Sequence, residues 1–172
     1  MKTKLKKAIR NVPDFPKKGI QFKDITPILS CSKLFRTTIN AIARKYRCVK
    51  IDKIAAIDAR GFIFGAALAF KLKIGFVPIR KKGKLPWKTI QENYDLEYGS
   101  NTIEIHSDAI NKGDSVLLVD DLLATGGTAE AAIKLINKSE AKVIEAFFVI
   151  ELEELNGRNK LQKVPVSSLV KF

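Results

Sequence analysis

Val116–Thr128 reads VLLVDDLLATGGT, and the order of residue types within it governs how the rest of the chain is read. Val116-Leu117-Leu118-Val119 is a continuous apolar run, the pattern of a strand buried on both faces of a sheet. It delivers Asp120 and Asp121 to its carboxyl end. Leu122 and Leu123 then lead into small residues, Ala124-Thr125-Gly126-Gly127-Thr128, that open a helix. Glycines let backbone N–H groups turn towards one point, and a helix N-terminus adds partial positive charge there, so the turn is a cradle for an anion. Thr125 and Thr128 add hydroxyl donors. No Gly-Lys-Ser/Thr follows, so the lysine that grips a nucleoside triphosphate is missing. Two carboxylates beside a bound phosphate repel it unless they face something else. Ribose hydroxyls are suitable donors to them, and a hydrated Mg²⁺ would neutralise the site. A lone Gly-Gly would read as an ordinary strand–helix turn with an acidic cap. The whole string reads as a site for a sugar 5-phosphate.

Outward from this stretch the chain alternates short apolar strands with helices. Lys53–Ile57 is a strand, followed by a turn at Asp58-Ala59-Arg60-Gly61 and an apolar helix through Phe70. Gly75–Ile79 is the next strand. A polar, lysine-rich stretch runs from Arg80 to about Asn93, and Tyr94–Tyr98 with Thr102–Ile105 alternate as a hairpin. Thr128–Lys138 is a helix, Val143–Leu152 a long strand and Val166–Val170 a last one. Such a pattern predicts an α/β fold, a central mostly parallel sheet with helices on both faces. Ligands then bind at the carboxyl ends of the strands, near a reversal in strand order. The strand ends after Ile57, Ile79 and Val119 should converge. Nearer the N-terminus, a first helix ends at Pro13-Asp14-Phe15-Pro16, with Leu5, Ala8, Ile9 and Val12 facing inward. Gly19–Asp24 is a short extended segment, and Ser32 caps a helix to about Arg47 with Phe35, Ile39, Ile42, Ala43 and Tyr46 on one face.

With 172 residues, 46 % of them apolar, and no repeat or Gly/Ser linker, the chain reads as one domain over 1–172. No apolar stretch approaches the ~20 residues that span a bilayer, and no signal-type core follows the basic N-terminus. Cys31 and Cys48 have no metal-ligand spacing and read as reduced thiols of a cytoplasmic protein. The formal charge of +13 raises the question of nucleic acid. The lysines are nevertheless scattered, with no basic helix and no aromatic-interleaved patch, so neither nucleic acid nor membrane is expected as a partner. His106 is the only histidine, which excludes a histidine-based triad or a multi-histidine metal site.

VLLVDDLLATGGT is similar to the phosphoribosyl pyrophosphate (PRPP) signature of the type I phosphoribosyltransferases, and its LLATGGT ending resembles the adenine branch. PDFPKKGIQFKDITP, DARGFIFG, IRKKGKLP and YDLEYG match that branch in the same order, so the resemblance runs from about Val12 to Phe172. It implies a small N-terminal hood (about 12–27), a catalytic lid (about 80–98) and the reaction adenine + PRPP to AMP + pyrophosphate. By resemblance, Asp120 and Asp121 take the ribose diol and Ala124, Thr125, Gly126, Gly127 and Thr128 the 5-phosphate. Ala59, Arg60, Arg80 and Lys84 take the pyrophosphate. Gln21 and Lys23 read adenine through backbone groups, with Phe22 and Leu122 on its two faces. Glu97 is the matching catalytic carboxylate, joined by Arg60, and a non-proline cis peptide is expected within Asp58–Arg60. Mg²⁺ is implied as cofactor, held mainly by PRPP and through water by Asp120 and Asp121, with no direct protein ligand assured. A homodimer is implied too, and Trp87 in the lid suits either its interface or a shield over the closed site. Two other readings use the same fold: a PRPP- or purine-sensing regulator without turnover, and a 6-oxopurine phosphoribosyltransferase. Retention of Arg80, Lys84 and Glu97 argues against the first, and PDFPKKGIQFKD against the second.

Overall fold

In the computed structural model, which describes residues 2–95 and 100–172, the chain begins with α1 (Lys2–Ala8), β1 (Arg10–Pro13), β2 (Gln21–Asp24), α2 (Thr26–Ser30) and α3 (Ser32–Tyr46). It continues through β3 (Lys53–Ile57), α4 (Arg60–Leu72), β4 (Gly75–Lys81), β5 (Thr89–Asp95), β6 (Ser100–His106), β7 (Ser115–Leu123), α5 (Gly127–Lys138), β8 (Lys142–Glu151) and β9 (Val166–Lys171). Seven strands form one sheet in the order β5-β6-β4-β3-β7-β8-β9. The strands from β4 to β9 in that order are parallel neighbours, whereas β6 runs antiparallel to β4 and β5 to β6. β1 and β2 pair separately as a two-stranded antiparallel ribbon.

Alternation along the central strands sorts the core into two layers. Ile54 and Ala56 of β3, with Leu117 and Val119 of β7, join Phe64 and Leu68 of α4 and the buried face of α3. Ala55, Ile57, Val116 and Leu118 point the other way and pack against Ala132, Leu135 and Ile136 of α5. Helices therefore cover both faces, as the apolar runs predict. The β3–α4–β4 unit builds towards one edge and the β7–α5–β8 unit towards the other, so strand order reverses between β3 and β7. Ile57 and Ile79 are register partners, and Val119 faces Ala56, so the three strand ends converge as expected.

Several local expectations are corrected. The first helix stops at Ala8 rather than Pro13, because residues 10–13 pair with β2 and a ladder fixes them as strand. Leu5 and Ile9 are buried, but Val12 sits in that ribbon. Ser32 is the first residue of α3, after an extended Cys31, and caps nothing with its side chain. The short α2 was not expected; an Asp24 carboxylate accepts the Thr26 N–H at 2.8 Å and starts it. The polar stretch 80–93 is not a single loop. β4 continues through Lys81 and β5 starts at Thr89, so the turn between them is 82–88 and the first hairpin arm begins at Thr89 rather than Tyr94; Leu96–Tyr98 lie outside the described residues. β7 extends to Leu123, placing Asp120 and Asp121 inside its last turn of pairing with β8 rather than beyond it. Among the described residues no helix is long and apolar enough to cross a membrane.

α4 lies unusually close to the sheet. A Cβ built on Gly65 would stand 2.6 Å from the Ala56 Cβ and 3.1 Å from the Phe76 ring. Gly65→Ala would gain about 1 kcal/mol of helix propensity and lose about 1–3 kcal/mol to overpacking. The expected outcome is a net loss of stability, read as a lower urea midpoint with an unchanged slope. A midpoint at or above that of the parent chain would contradict this account of the α4–β3 seat.

Candidate active site

A cleft of roughly 400 Å³ opens at the converged strand ends. Its walls are the 57–60 turn after β3, Lys81 of β4, Tyr94 of β5 and the whole run 120–129. Each of these segments leaves a strand at its carboxyl end or begins the following helix. The site is therefore a consequence of strand order.

The run 124–128 turns sharply into α5. Gly126 has φ of +83°, a left-handed conformation that a side chain resists, and it stands just before the first helical residue. The leading N–H groups of a helix lack intrahelical acceptors, so those of α5 are free of the helix ladder where they meet the cleft. Across the cleft the Asp58–Ala59 peptide is cis, within the segment where such a bond is expected. Asp58 N–H donates to Ile79 O at 2.9 Å, and the Asp58 carboxylate accepts from Arg80 Nε at 2.9 Å. Arg80 Nη1 also donates to Lys84 O at 3.1 Å, which ties the 82–88 turn back to the 57–60 turn.

The electrostatic centre is Asp120, Asp121 and Arg60. Arg60 Nε lies 2.9 Å from Asp121 Oδ2, an ion pair in which that buried oxygen still has no hydrogen-bond partner among the described residues. Asp120 Oδ1 accepts the Asp121 N–H at 2.8 Å. A Cβ on Gly61 would meet this same oxygen at 2.7 Å, so only glycine at position 61 leaves room for the Asp120 carboxylate. Burial raises the Asp120 pKa well above its ordinary value, and the Asp121 charge raises it further. Burial raises Asp121 as well, opposed chiefly by Arg60. Asp121 is held short of a full complement of donors, which is what a polyhydroxyl or cationic ligand supplies.

Of the residues singled out by sequence, Ala59, Arg60, Asp120, Asp121, Leu122 and 124–128 all line the cleft. Gln21, Phe22 and Lys23 lie on β2 of the ribbon and do not line it. Phe22 reaches its edge through Arg60, whose guanidinium carbon is 5.2 Å from the ring centroid. Arg80 and Lys84 stand outside the cleft wall, on β4 and the turn after it. Trp87, in the same turn, is exposed. Glu97 lies outside the described residues.

Sequence reasoning missed Lys81 and Tyr94 as wall residues, and it missed Glu104. Glu104 is buried on β6, and its Oε1 accepts the N–H groups of Lys84 and Leu85, each at 3.2 Å. Its Oε2 accepts from Thr89 Oγ1 at 3.2 Å and Gln91 Nε2 at 3.3 Å. This carboxylate ties the middle of the 82–88 turn to the start of β5. The only signal for it was an acidic residue in an alternating strand, which ordinarily means a solvated face.

Comparison with known proteins bears on all of this geometry. The phosphoribosyl transferase domain family matches residues 28–170. Adenine phosphoribosyltransferase of Maricaulis maris is 55 % identical over 170 residues, covering 98 % of this chain and 97 % of that protein. The crystal structure of adenine phosphoribosyltransferase from Thermoanaerobacter pseudethanolicus is 50 % identical and superposes with a TM-score of 0.97 over 100 % of both chains. The Saccharomyces cerevisiae enzyme, solved with an imino-altritol bisphosphate and adenine, is 44 % identical with a TM-score of 0.93, covering 98 % of this chain and 97 % of that one. With a family match over most of its length and relatives at this identity, the chain belongs to the adenine phosphoribosyltransferase family.

Proposed function

We propose that the cleft transfers the 5-phosphoribosyl group of PRPP to adenine, releasing AMP and pyrophosphate. One observation carries the reading: a helix-start anion cradle, a pair of adjacent carboxylates of which Asp121 has an oxygen without a hydrogen-bond partner, and an arginine-bearing turn all face a single cleft. The yeast relative crystallised with adenine supports the choice of base.

Under this reading the N–H groups and hydroxyls of 124–128 hold the 5-phosphate, and Asp120 and Asp121 accept from the two ribose hydroxyls. Leu122 and Phe22 take the two faces of adenine. Gln21 and Lys23 contribute backbone groups, and their side chains are occupied: Asn11 donates to Gln21 Oε1 at 2.6 Å and accepts from Lys23 Nζ at 3.0 Å. A backbone carbonyl and N–H pair selects an amino group beside a ring nitrogen acceptor over a 6-oxopurine. Ala59 N–H, Arg60, Arg80 and Lys84 hold the pyrophosphate, whose charge grows as it leaves. The C–O bond at the anomeric carbon breaks with its electron pair going to pyrophosphate, and a purine nitrogen bonds to that carbon. Glu97 takes the proton that the purine sheds. Closure of the lid keeps water from the cation-like centre.

Mg²⁺ fits the donor set. Two adjacent carboxylates with an unpartnered oxygen suit a hydrated dication, and among the described residues no cluster of three protein ligands would hold one directly. Such an ion, carried on PRPP and reached through water by Asp120 and Asp121, would neutralise phosphate charge. The setting proposed is the cytoplasm and the assembly a homodimer, both resting on family membership.

The direct test mixes the protein with PRPP, Mg²⁺ and each purine in turn: AMP should form from adenine, and its absence would overturn the proposal. Glu97→Gln should lower kcat by about 10²–10⁴-fold with the KM for adenine little changed. A fully active, folded variant removes Glu97 from the chemistry. For Asp120 the sign of the pH effect is fixed by its raised pKa: the folded state keeps a proton that the unfolded chain has lost, so this group costs stability as pH rises through and above the ordinary carboxylate range. Asp120→Asn keeps an acceptor for the Asp121 N–H and removes the charge. It should melt higher than the parent at pH 7, by less at pH 4, and bind PRPP worse; differential scanning calorimetry at the two pH values decides it.

A further inference from the structure

We infer that the segment 156–158, outside the cleft wall, is the rear support of the 5-phosphate cradle, with Gly157 shaping the turn and Arg158 holding Gly157 in place. The two chains of backbone touch with no side chain between them. A Cβ on Gly157 would stand 2.1 Å from Ala124 O and 3.1 Å from Gly126 N. A Cβ on Gly126 would stand 2.4 Å from Gly157 O. Each glycine is thus required by a backbone carbonyl of the other segment, Gly157 by Ala124 O and Gly126 by Gly157 O, and this reciprocal fit holds the carbonyl of Ala124 and the left-handed bend at Gly126 from behind. The direction of the N–H groups that follow depends on that bend.

The support is itself anchored. Asn156 turns the chain with φ of +51°, directly after the strand-following segment that begins at Leu152. Leu152 N–H donates to Leu123 O at 3.0 Å, stitching that segment to the end of β7. Arg158 then engages both oxygens of the buried Glu151, Nε on Oε1 and Nη2 on Oε2 at 2.7 Å, and Nη1 donates to Val166 O at 2.8 Å. Ser168 Oγ donates to Glu151 Oε2 at 2.5 Å. A planar fork that fills two carboxylate oxygens and a carbonyl fixes orientation in a way an ammonium does not. Gly157 and Arg158 are positioning residues: neither lines the cleft.

The inference rests on 124–128 being the 5-phosphate cradle, and the test separates the two. AMP and inorganic pyrophosphate are titrated calorimetrically into the parent protein, Gly157→Ala and Arg158→Lys. AMP reads the cradle; pyrophosphate reads the opposite wall at Arg60 and serves as the internal control. Expected is a loss of AMP affinity of about tenfold or more in Gly157→Ala and a smaller loss in Arg158→Lys, with pyrophosphate affinity within about twofold in both. In turnover, the KM for PRPP should rise more than kcat falls. Equal AMP affinity in a folded variant overturns the inference, and so does a parallel loss of both ligands, which marks a general disturbance. If Gly157→Ala does not fold, Arg158→Lys decides by the same criteria. A parent protein that binds no AMP overturns the reading of the cradle itself, and the inference with it.

Discussion

Adjacent carboxylates at the end of a buried strand set the terms on which the rest of this structure is built. Asp120 and Asp121 lie where burial raises the cost of ionising each, and the charge on Asp121 raises that of Asp120 further. Several features nearby exist in relation to that cost. Arg60 approaches Asp121 at the first turn of α4, and Gly61 has no side chain so that Asp120 can fit under the same turn. α4 must therefore dock close to β7, which Gly61 permits, and to β3, which Gly65 permits one helical turn further on. A site so arranged is destabilised when empty and relieved by donors, and this is how a fold can hold binding energy in readiness for a hydroxylated or cationic ligand.

Topology then gathers the remaining groups. Because β4, β3 and β7 are neighbours and parallel, the segments that follow them leave the sheet at the same edge. β6 returns antiparallel beside β4, and Glu104 on it reaches back to pin the 82–88 turn. Arg80 joins that turn to Asp58 and so to the turn opposite. The 82–88 turn is consequently held at its middle, through Lys84 and Leu85, as well as at Thr89 where β5 begins.

What could be read from the sequence follows from how strongly each segment's pattern departs from its alternatives. Val116–Thr128 was legible because four apolar residues, two acids and a glycine pair occur in one order that few structures explain, and DARG at 58–61 gained its meaning from lying at an equivalent strand end. The parallel sheet and its two covered faces followed from the apolar runs at 53–57, 75–79 and 143–152. β5 is hard to place because TIQENYD has only two apolar residues, Ile90 and Tyr94, on its core face; its strand character comes from pairing with β6, a tertiary fact. Residues 10–13 likewise read as the end of a helix, because their strand character comes only from pairing with β2. Glu104 looked like a solvated strand residue, since only the 82–88 turn folding over it makes it buried. Gly157 carried no signal at all: Asn-Gly-Arg in a polar stretch reads as a turn, and the reason for glycine lies in a carbonyl more than thirty positions away.

On the proposed reading, two kinds of anion binding divide the work, and the division matches what each phosphate must do. The 5-phosphate stays with the product through the chemical step, and its partners are backbone N–H groups at a helix start, backed by Gly157 and unable to move independently. Pyrophosphate must leave, and its partners are mainly side chains: Arg60 paired to Asp121, Arg80 paired to Asp58, and Lys84 in the 82–88 turn. Fixed dipoles cost no reorganisation when charge stays put. Paired side chains can exchange an acidic partner on the protein for one on the ligand and take it back on release, so the arginines never stand unpaired. The net charge of +13 fits the same scheme, since it draws a polyanionic substrate towards a cleft whose own floor is acidic. The acid pair at 120 and 121 then works as a filter, because phosphate charge alone is repelled there and only a ligand that brings hydroxyl donors or a cation to that floor is held.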